Sequence, residues 1–133
     1  MTLFQIVAFY IALHCIMAPL LMFRVGKIRM KERVSLGDGG NAELQARIRT
    51  HGNYIENMPL ALLGLAALAW LGAAPWALHL FGAAFFIGRI FHAMGMAGKH
   101  ANGKPRLYGM LLTLFTHFGQ ALSILYLIVT NLG

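Results

Sequence analysis

Three side chains able to do chemistry stand close together in an otherwise apolar chain: Arg49, Asn53 and Glu56, spaced i, i+4 and i+7. On a helix that spacing puts a guanidinium, an amide and a carboxylate on one face. Apolar sequence follows from Leu60 to Leu71, so Glu56 is expected inside the hydrocarbon or at its border. An ionisable group at that depth costs roughly 2.5 to 3.5 kcal/mol on insertion scales. It has to face protein or a water-filled cavity, which makes it a candidate for function.

Arg89 and His92, at i and i+3, interrupt a later apolar run, and Lys104, Arg106 and Tyr108 open the last one. Arg89 lies deep in its segment and needs an acidic partner. Glu56 is the one carboxylate in any apolar segment, so an Arg89–Glu56 pair is expected, within one chain or between copies. The alternative is that Arg89 snorkels to the interface. A basin of Arg49, Asn53, Glu56, Arg89, His92, Lys104, Arg106 and Tyr108 suits a small polyanion, because arginines grip carboxylates two donors at a time. An apolar co-substrate dissolved in the bilayer reaches the same place from the side.

The elements that must position these groups are legible in composition. Of 133 residues, 59% are hydrophobic and 11% charged, against roughly 25% charged in soluble domains. This is the signature of a membrane protein. Four apolar segments, Leu3 to Phe23, Ile55 to Leu71, Trp76 to Met96 and Leu107 to Leu132, each approach the roughly 20 residues a spanning helix needs. A single four-span, all-α domain over residues 1–133 is expected, with no separate soluble part.

The net charge is +7, and its placement explains it. Arg24, Lys27, Arg29, Lys31, Arg33, Arg47 and Arg49 lie between the first and second segments, and Lys99, Lys104 and Arg106 between the third and fourth. By the positive-inside rule both charged loops face the cytoplasm and both termini the other side. Topology accounts for the charge, and a nucleic-acid partner is not expected. The first segment lacks the basic n-region and small-x-small site of a cleavable signal. Cys15 is a lone cysteine, read as a small buried hydrophobe, and no metal-ligand spacing is present.

Smaller signals fill in the frame. Gly37-Asp38-Gly39-Gly40 predicts a tight reversal, and Asn41 a helix cap with Glu43 in the first turn. Pro19 and Pro59 are expected to bend their helices. Ala73-Ala74-Pro75 is short enough to force an antiparallel pair. His14 reads as a histidine bonded to a neighbouring helix. Thr113, Thr116, His117, Gln120 and Ser123 form one stripe, read as helix-to-helix hydrogen bonding in preference to a transport path. Neither an internal repeat nor paired broken helices favour a transporter.

The run Arg49-x-His51-x-Asn53-x-x-Glu56-x-x-Pro59, Arg89-x-x-His92 and the basic opening of the last segment resemble the MAPEG family, the membrane-associated proteins in eicosanoid and glutathione metabolism. Gly37-Asp38-Gly39-Gly40 followed by Glu43-Leu44-Gln45 is similar to its bacterial branch. The resemblance covers essentially the whole chain. It implies an integral membrane four-helix bundle, a homotrimer in a bacterial inner membrane, and glutathione as co-substrate in clefts between subunits near the cytoplasmic face. It also implies a glutathione S-transferase, with peroxidase activity in some members, acting on lipophilic electrophiles. Arg49, Asn53 and Glu56 match glutathione-contacting positions, Glu56 facing the amino group. Arg89 and His92 match polar positions of the third span, and Lys104 and Tyr108 flank Arg106, the candidate for stabilising the thiolate. Met96 stands where several members have tyrosine, and Lys104 competes with Arg106 because the spacing from His92 differs by one. The other reading is a non-catalytic membrane module that binds a small anion or a lipid headgroup.

Overall fold

The structure is a computed structural model and describes residues 1–96 and 103–131. Lys99 and the expected end of the last segment at Leu132 lie outside the described residues. Four helices follow in order, α1 (Leu3–Glu32), α2 (Ala42–Trp70), α3 (Pro75–Gly95) and α4 (Lys104–Asn131), and the described residues form no strand. The chain is an all-helical membrane bundle. By length and composition α1, α3 and α4 can cross a membrane. The expected fourth, α2, is not among them, because Asn53, Glu56 and Asn57 dilute its apolar half.

The first helix starts on a capping box, with the Gln5 N–H donating to the Thr2 hydroxyl and the Thr2 N–H donating to the Gln5 side chain. It runs past the expected end at Phe23 to Glu32. Arg, Lys and Met are good helix formers, so the basic segment extends the helix until Arg33, at φ 54°, closes it in the left-handed region. The Arg29 guanidinium then collars the loop, donating to the carbonyls of Val34, Ser35 and Gly37. The reversal follows as predicted: Gly37, Gly39 and Gly40 take positive φ, and the Gly40 N–H donates to Asp38 Oδ1 at 2.9 Å. Asn41 Oδ1 caps α2 by accepting from the Leu44 N–H at 2.9 Å. Both α1 and α2 continue as helix through Pro19 and Pro59.

A periodic stripe of α1, Ile6, Val7, Tyr10, His14, Met17 and Leu21, faces inward. Cys15 falls off that stripe and is exposed, against the expectation of burial. At the end of the bundle farthest from the basic residues, Ile6, Val7 and Tyr10 pack on Leu65, Leu68, Leu78 and Phe81. Nearer the basic end, Met17 and Leu21 meet Tyr54 and Ala93. Helices α1 and α2 pair, as do α3 and α4, while α1 and α4 are not neighbours at the backbone.

Between apolar helices in lipid, burial gives little net gain, and close backbone approach by small residues takes its place. The α3/α4 seam shows this. A Cβ on Gly109 would run into the backbone of His92 and Gly88, and one on Gly95 into the backbone of Arg106. A Cβ on Gly88 would sit 2.9 Å from the Leu112 Cβ. The opposite face of α4 is uncovered, with only 17% of its apolar window buried. Leu107, Leu111, Leu114, Phe118 and Leu122 are left to lipid or to another copy.

Candidate functional site

Arg89 is the buried centre of the polar residues, 2% exposed. Its Nη1 donates to Asn53 Oδ1 at 2.7 Å, and its Nη2 to the Gly109 carbonyl at 3.3 Å and to the Thr113 hydroxyl. The Thr113 hydroxyl in turn donates to the Gly109 carbonyl at 2.8 Å. The Phe85 ring lies 5.5 Å from the guanidinium carbon. One α3 cation therefore ties α2 to α4 through an amide, a carbonyl and a hydroxyl.

The expected Arg89–Glu56 pair does not form within the chain. Glu56 is exposed on α2 and, among the described residues, has no hydrogen bond or ion pair. The reason is rotational. The inner edge of α2 carries Thr50 and Tyr54, both buried, and Asn53 sits beside it, half-buried. Glu56 and Arg49 point farther out, and both are exposed. Neutral acceptors take both Nη groups of Arg89 where the sequence suggested a carboxylate, and its buried Nε has no partner among the described residues.

Asn53 thus belongs to two environments. Its side-chain oxygen is taken by Arg89, its carbonyl accepts from the Asn57 amide at 2.8 Å, and it shares a face with the outward Arg49 and Glu56. His92 is buried beside the seam, where Gly109 approaches its backbone. Lys104, Arg106 and Tyr108 are exposed on the first turns of α4. Gly109, which accepts from Arg89, follows Tyr108 directly. Arg89 consequently links the two outward groups, one on α2 and one on α4, with no contact needed between them.

Of the rest of the polar stripe, His117 and Gln120 knit α2 to α4, as predicted. His117 Nε2 lies 3.3 Å from Asn57 Oδ1, and the Gln120 amide donates to the Ala61 carbonyl at 3.0 Å. Thr116 turns back on its own helix, donating to the Leu112 carbonyl. His14 is bonded to a neighbouring helix, as read: Tyr54 donates its hydroxyl proton to the His14 carbonyl at 3.0 Å, and His14 Nδ1 lies 3.0 Å from the same oxygen. Sequence reasoning missed Tyr54 and Asn57 as the other halves of these contacts. It also missed the bond of Tyr10 to His79, whose carbonyl and Nδ1 lie 3.2 and 3.1 Å from the hydroxyl. The spacing of Tyr54 from Thr50, i and i+4, was the available signal.

Among the described residues, a cavity of about 390 Å³ at the α2–α3 turn and another of about 410 Å³ between α1 and α3 are lined by residues other than the candidates. Among the described residues no group of three His, Cys, Asp or Glu side chains could hold a metal ion. The outward faces of α2 and α4 offer instead a guanidinium, an amide and a carboxylate, with a second set of cations. That combination matches a ligand carrying both carboxylate and ammonium groups.

The sequence pattern of the MAPEG family matches residues 7–126. The chain is 39% identical over 88 residues to "Inner membrane protein YecN" of Escherichia coli strain K12, covering 63% of this chain and 67% of that protein. The protein of the same name in Escherichia coli O6:H1 strain CFT073 matches to the same extent. No solved structure matches.

Proposed function

The chain belongs to the MAPEG family, and from that premise we propose that it is a membrane-bound glutathione S-transferase, with peroxidase activity as the related chemistry. It joins glutathione to lipophilic electrophiles at the cytoplasmic border of a bacterial inner membrane. The observation that carries this reading is Asn53, half-buried between a buried cation and an outward face that holds both signs of charge. Among the described residues an outward Arg49 and Glu56 have no structural partner, and a zwitterionic tripeptide would supply one. Glu56 would take its ammonium group, Arg49 a carboxylate, and Asn53 an amide. A homotrimer, in which a neighbouring copy brings its own residues to this face, fits the uncovered side of α4.

The chemistry asks for a cation beside the sulfur. A thiol with a pKa near 8.5 is mostly protonated at neutral pH, and the thiolate is the nucleophile. Each pKa unit of lowering needs about 1.4 kcal/mol of preferential interaction with the anion, which one charged donor supplies. Arg106 is assigned this role, with Lys104 as its rival. Attack of the thiolate on the electrophilic carbon forms the thioether, and the leaving group departs with the electron pair.

The test uses purified protein and glutathione. Saturable binding with the ultraviolet absorbance of the thiolate is expected, and Arg106→Ala is expected to lose that absorbance while still binding glutathione. A protein that neither binds glutathione saturably nor turns over with it would refute the proposal. A protein that binds it without thiolate formation would favour the second reading, a module that holds a small anion or lipid headgroup, for which the same outward cations suffice.

A further inference from the structure

A second feature lies on the α1/α3 side of the bundle, away from the α2 and α4 residues. Helices α1 and α3 enclose an apolar groove of about 410 Å³, walled by Leu13 and Met17 on one side and Phe86, Ile90 and Met94 on the other, with Arg24 at one end. Arg24 is half-buried, and among the described residues nothing pairs with it. A partly desolvated guanidinium without an acceptor, at the end of an apolar trough, awaits an anion carried on an apolar body.

We propose that this groove holds one acyl chain of an anionic phospholipid from the surrounding bilayer, with Arg24 bonded to its phosphate. Three features argue for that occupant. The first is length: from Leu13 to Arg24 the helix rises about 16 Å at 1.5 Å per residue, close to half of the roughly 30 Å hydrocarbon thickness. The groove therefore covers one leaflet and ends at headgroup level. The second is wall chemistry, since Met17 and Met94 are flexible side chains that adapt to a chain of varied shape.

The third is charge along the same stripe. Beyond Arg24 the groove-facing positions of α1 continue at i+3 and i+7 with Lys27 and Lys31, both exposed. The contact of Lys31 to its neighbour Glu32 is itself at the surface, so it withdraws little of the charge. A net-negative headgroup meets three cations in sequence, whereas the ammonium of a zwitterionic choline headgroup meets two of like sign.

The test is native mass spectrometry of the full chain in non-ionic detergent, titrated with dioleoyl-phosphatidylglycerol, dioleoyl-phosphatidylcholine or oleate. One phosphatidylglycerol per chain is expected to be retained, with about fivefold preference over phosphatidylcholine, the size of effect one surface cation gives. Arg24→Gln is expected to cut the preference severalfold, with Lys27 and Lys31 keeping the remainder, and Arg24→Lys to keep most of it. Ile16 also lines the groove and is 62% exposed, so Ile16→Trp can fill it without disturbing the core. That variant is expected to release both phospholipids. Equal retention of the two by the native chain, an unchanged preference in Arg24→Gln, unchanged retention in Ile16→Trp, or displacement of phosphatidylglycerol by equimolar oleate would each overturn the assignment.

Discussion

Removing Asn53 should cost more stability than removing Arg89, although Arg89 is the larger side chain and makes more contacts. Arg89→Met takes away three hydrogen bonds. Such bonds average about 0.6 kcal/mol between membrane helices and about twice that with a charged donor, so the loss is about 2 to 4 kcal/mol. The contact to Phe85 adds about 1 kcal/mol. Against this, the variant no longer buries a charge, whose effective penalty is several kcal/mol, and the methionine fills most of the space. The net cost is expected at about 0 to 2 kcal/mol. Asn53→Ala does the opposite: the cation stays buried, with Nη1 stripped of its Asn53 acceptor and Nε already without one. That costs about 2 to 3 kcal/mol. With Arg89 already replaced, the second change should be nearly neutral, giving a coupling energy of about 2 kcal/mol. The assay is unfolding in mixed micelles, followed by far-ultraviolet circular dichroism, on both single variants and the double. Additive costs, with coupling under about 0.5 kcal/mol, would refute the reasoning that Arg89 and Asn53 form one unit.

Four further outcomes are expected. Gly109→Ala drives a methyl group into the backbone of His92 and Gly88, which cannot yield as a side chain would, and should cost about 3 kcal/mol by the same unfolding assay. Gly26→Ala, where nothing lies within 4 Å, should stabilise α1 by about 0.5 to 1 kcal/mol. Tyr54→Phe leaves the His14 contacts unmade and should cost about 1 to 2 kcal/mol; an unchanged midpoint would show that the Tyr54 hydroxyl holds nothing. Glu56→Gln should weaken glutathione binding about tenfold in calorimetry, the loss of one charge-assisted contact, with the unfolding midpoint unmoved because Glu56 has no partner among the described residues.

Much of the architecture could be read from the residues. Asn41 and the glycines of residues 37–40 announce a cap and a reversal by their own backbone chemistry, and the α4 stripe announces its bonding by period. What could not be read depends on rotation and distance between helices. Asn53 and Glu56 share a face on any helical wheel, and charge complementarity pointed Arg89 at the carboxylate. Only the angular position of the buried Tyr54 decides that the amide turns inward and the acid outward. The seam glycines are equally silent in sequence, since Gly88, Gly95 and Gly109 gain meaning only when α3 and α4 are laid together. The extension of α1 to Glu32 was hidden by treating charge as a sign of loop, although Arg and Lys favour helix as well as any straight-chain residue.

The polar groups of the bundle divide into two sets with different demands. Arg89, Thr113, Asn57, His117, Gln120, His14 and Tyr54 bond to one another or to backbone across helices. They are the ties a membrane bundle needs where apolar contact alone distinguishes poorly between protein and lipid. Arg49 and Glu56 do none of this, and they stand outward on a helix whose far half is apolar. Charges at that border carry a cost that no contact among the described residues offsets. On the proposed reading a ligand meets them there, and Asn53 is the residue through which such an encounter would reach Arg89 and the α3/α4 seam. A glutathione-dependent change in amide exchange at Gly109 and Thr113, lost in Asn53→Ala, would reveal that connection; exchange indifferent to glutathione would leave the two sets independent.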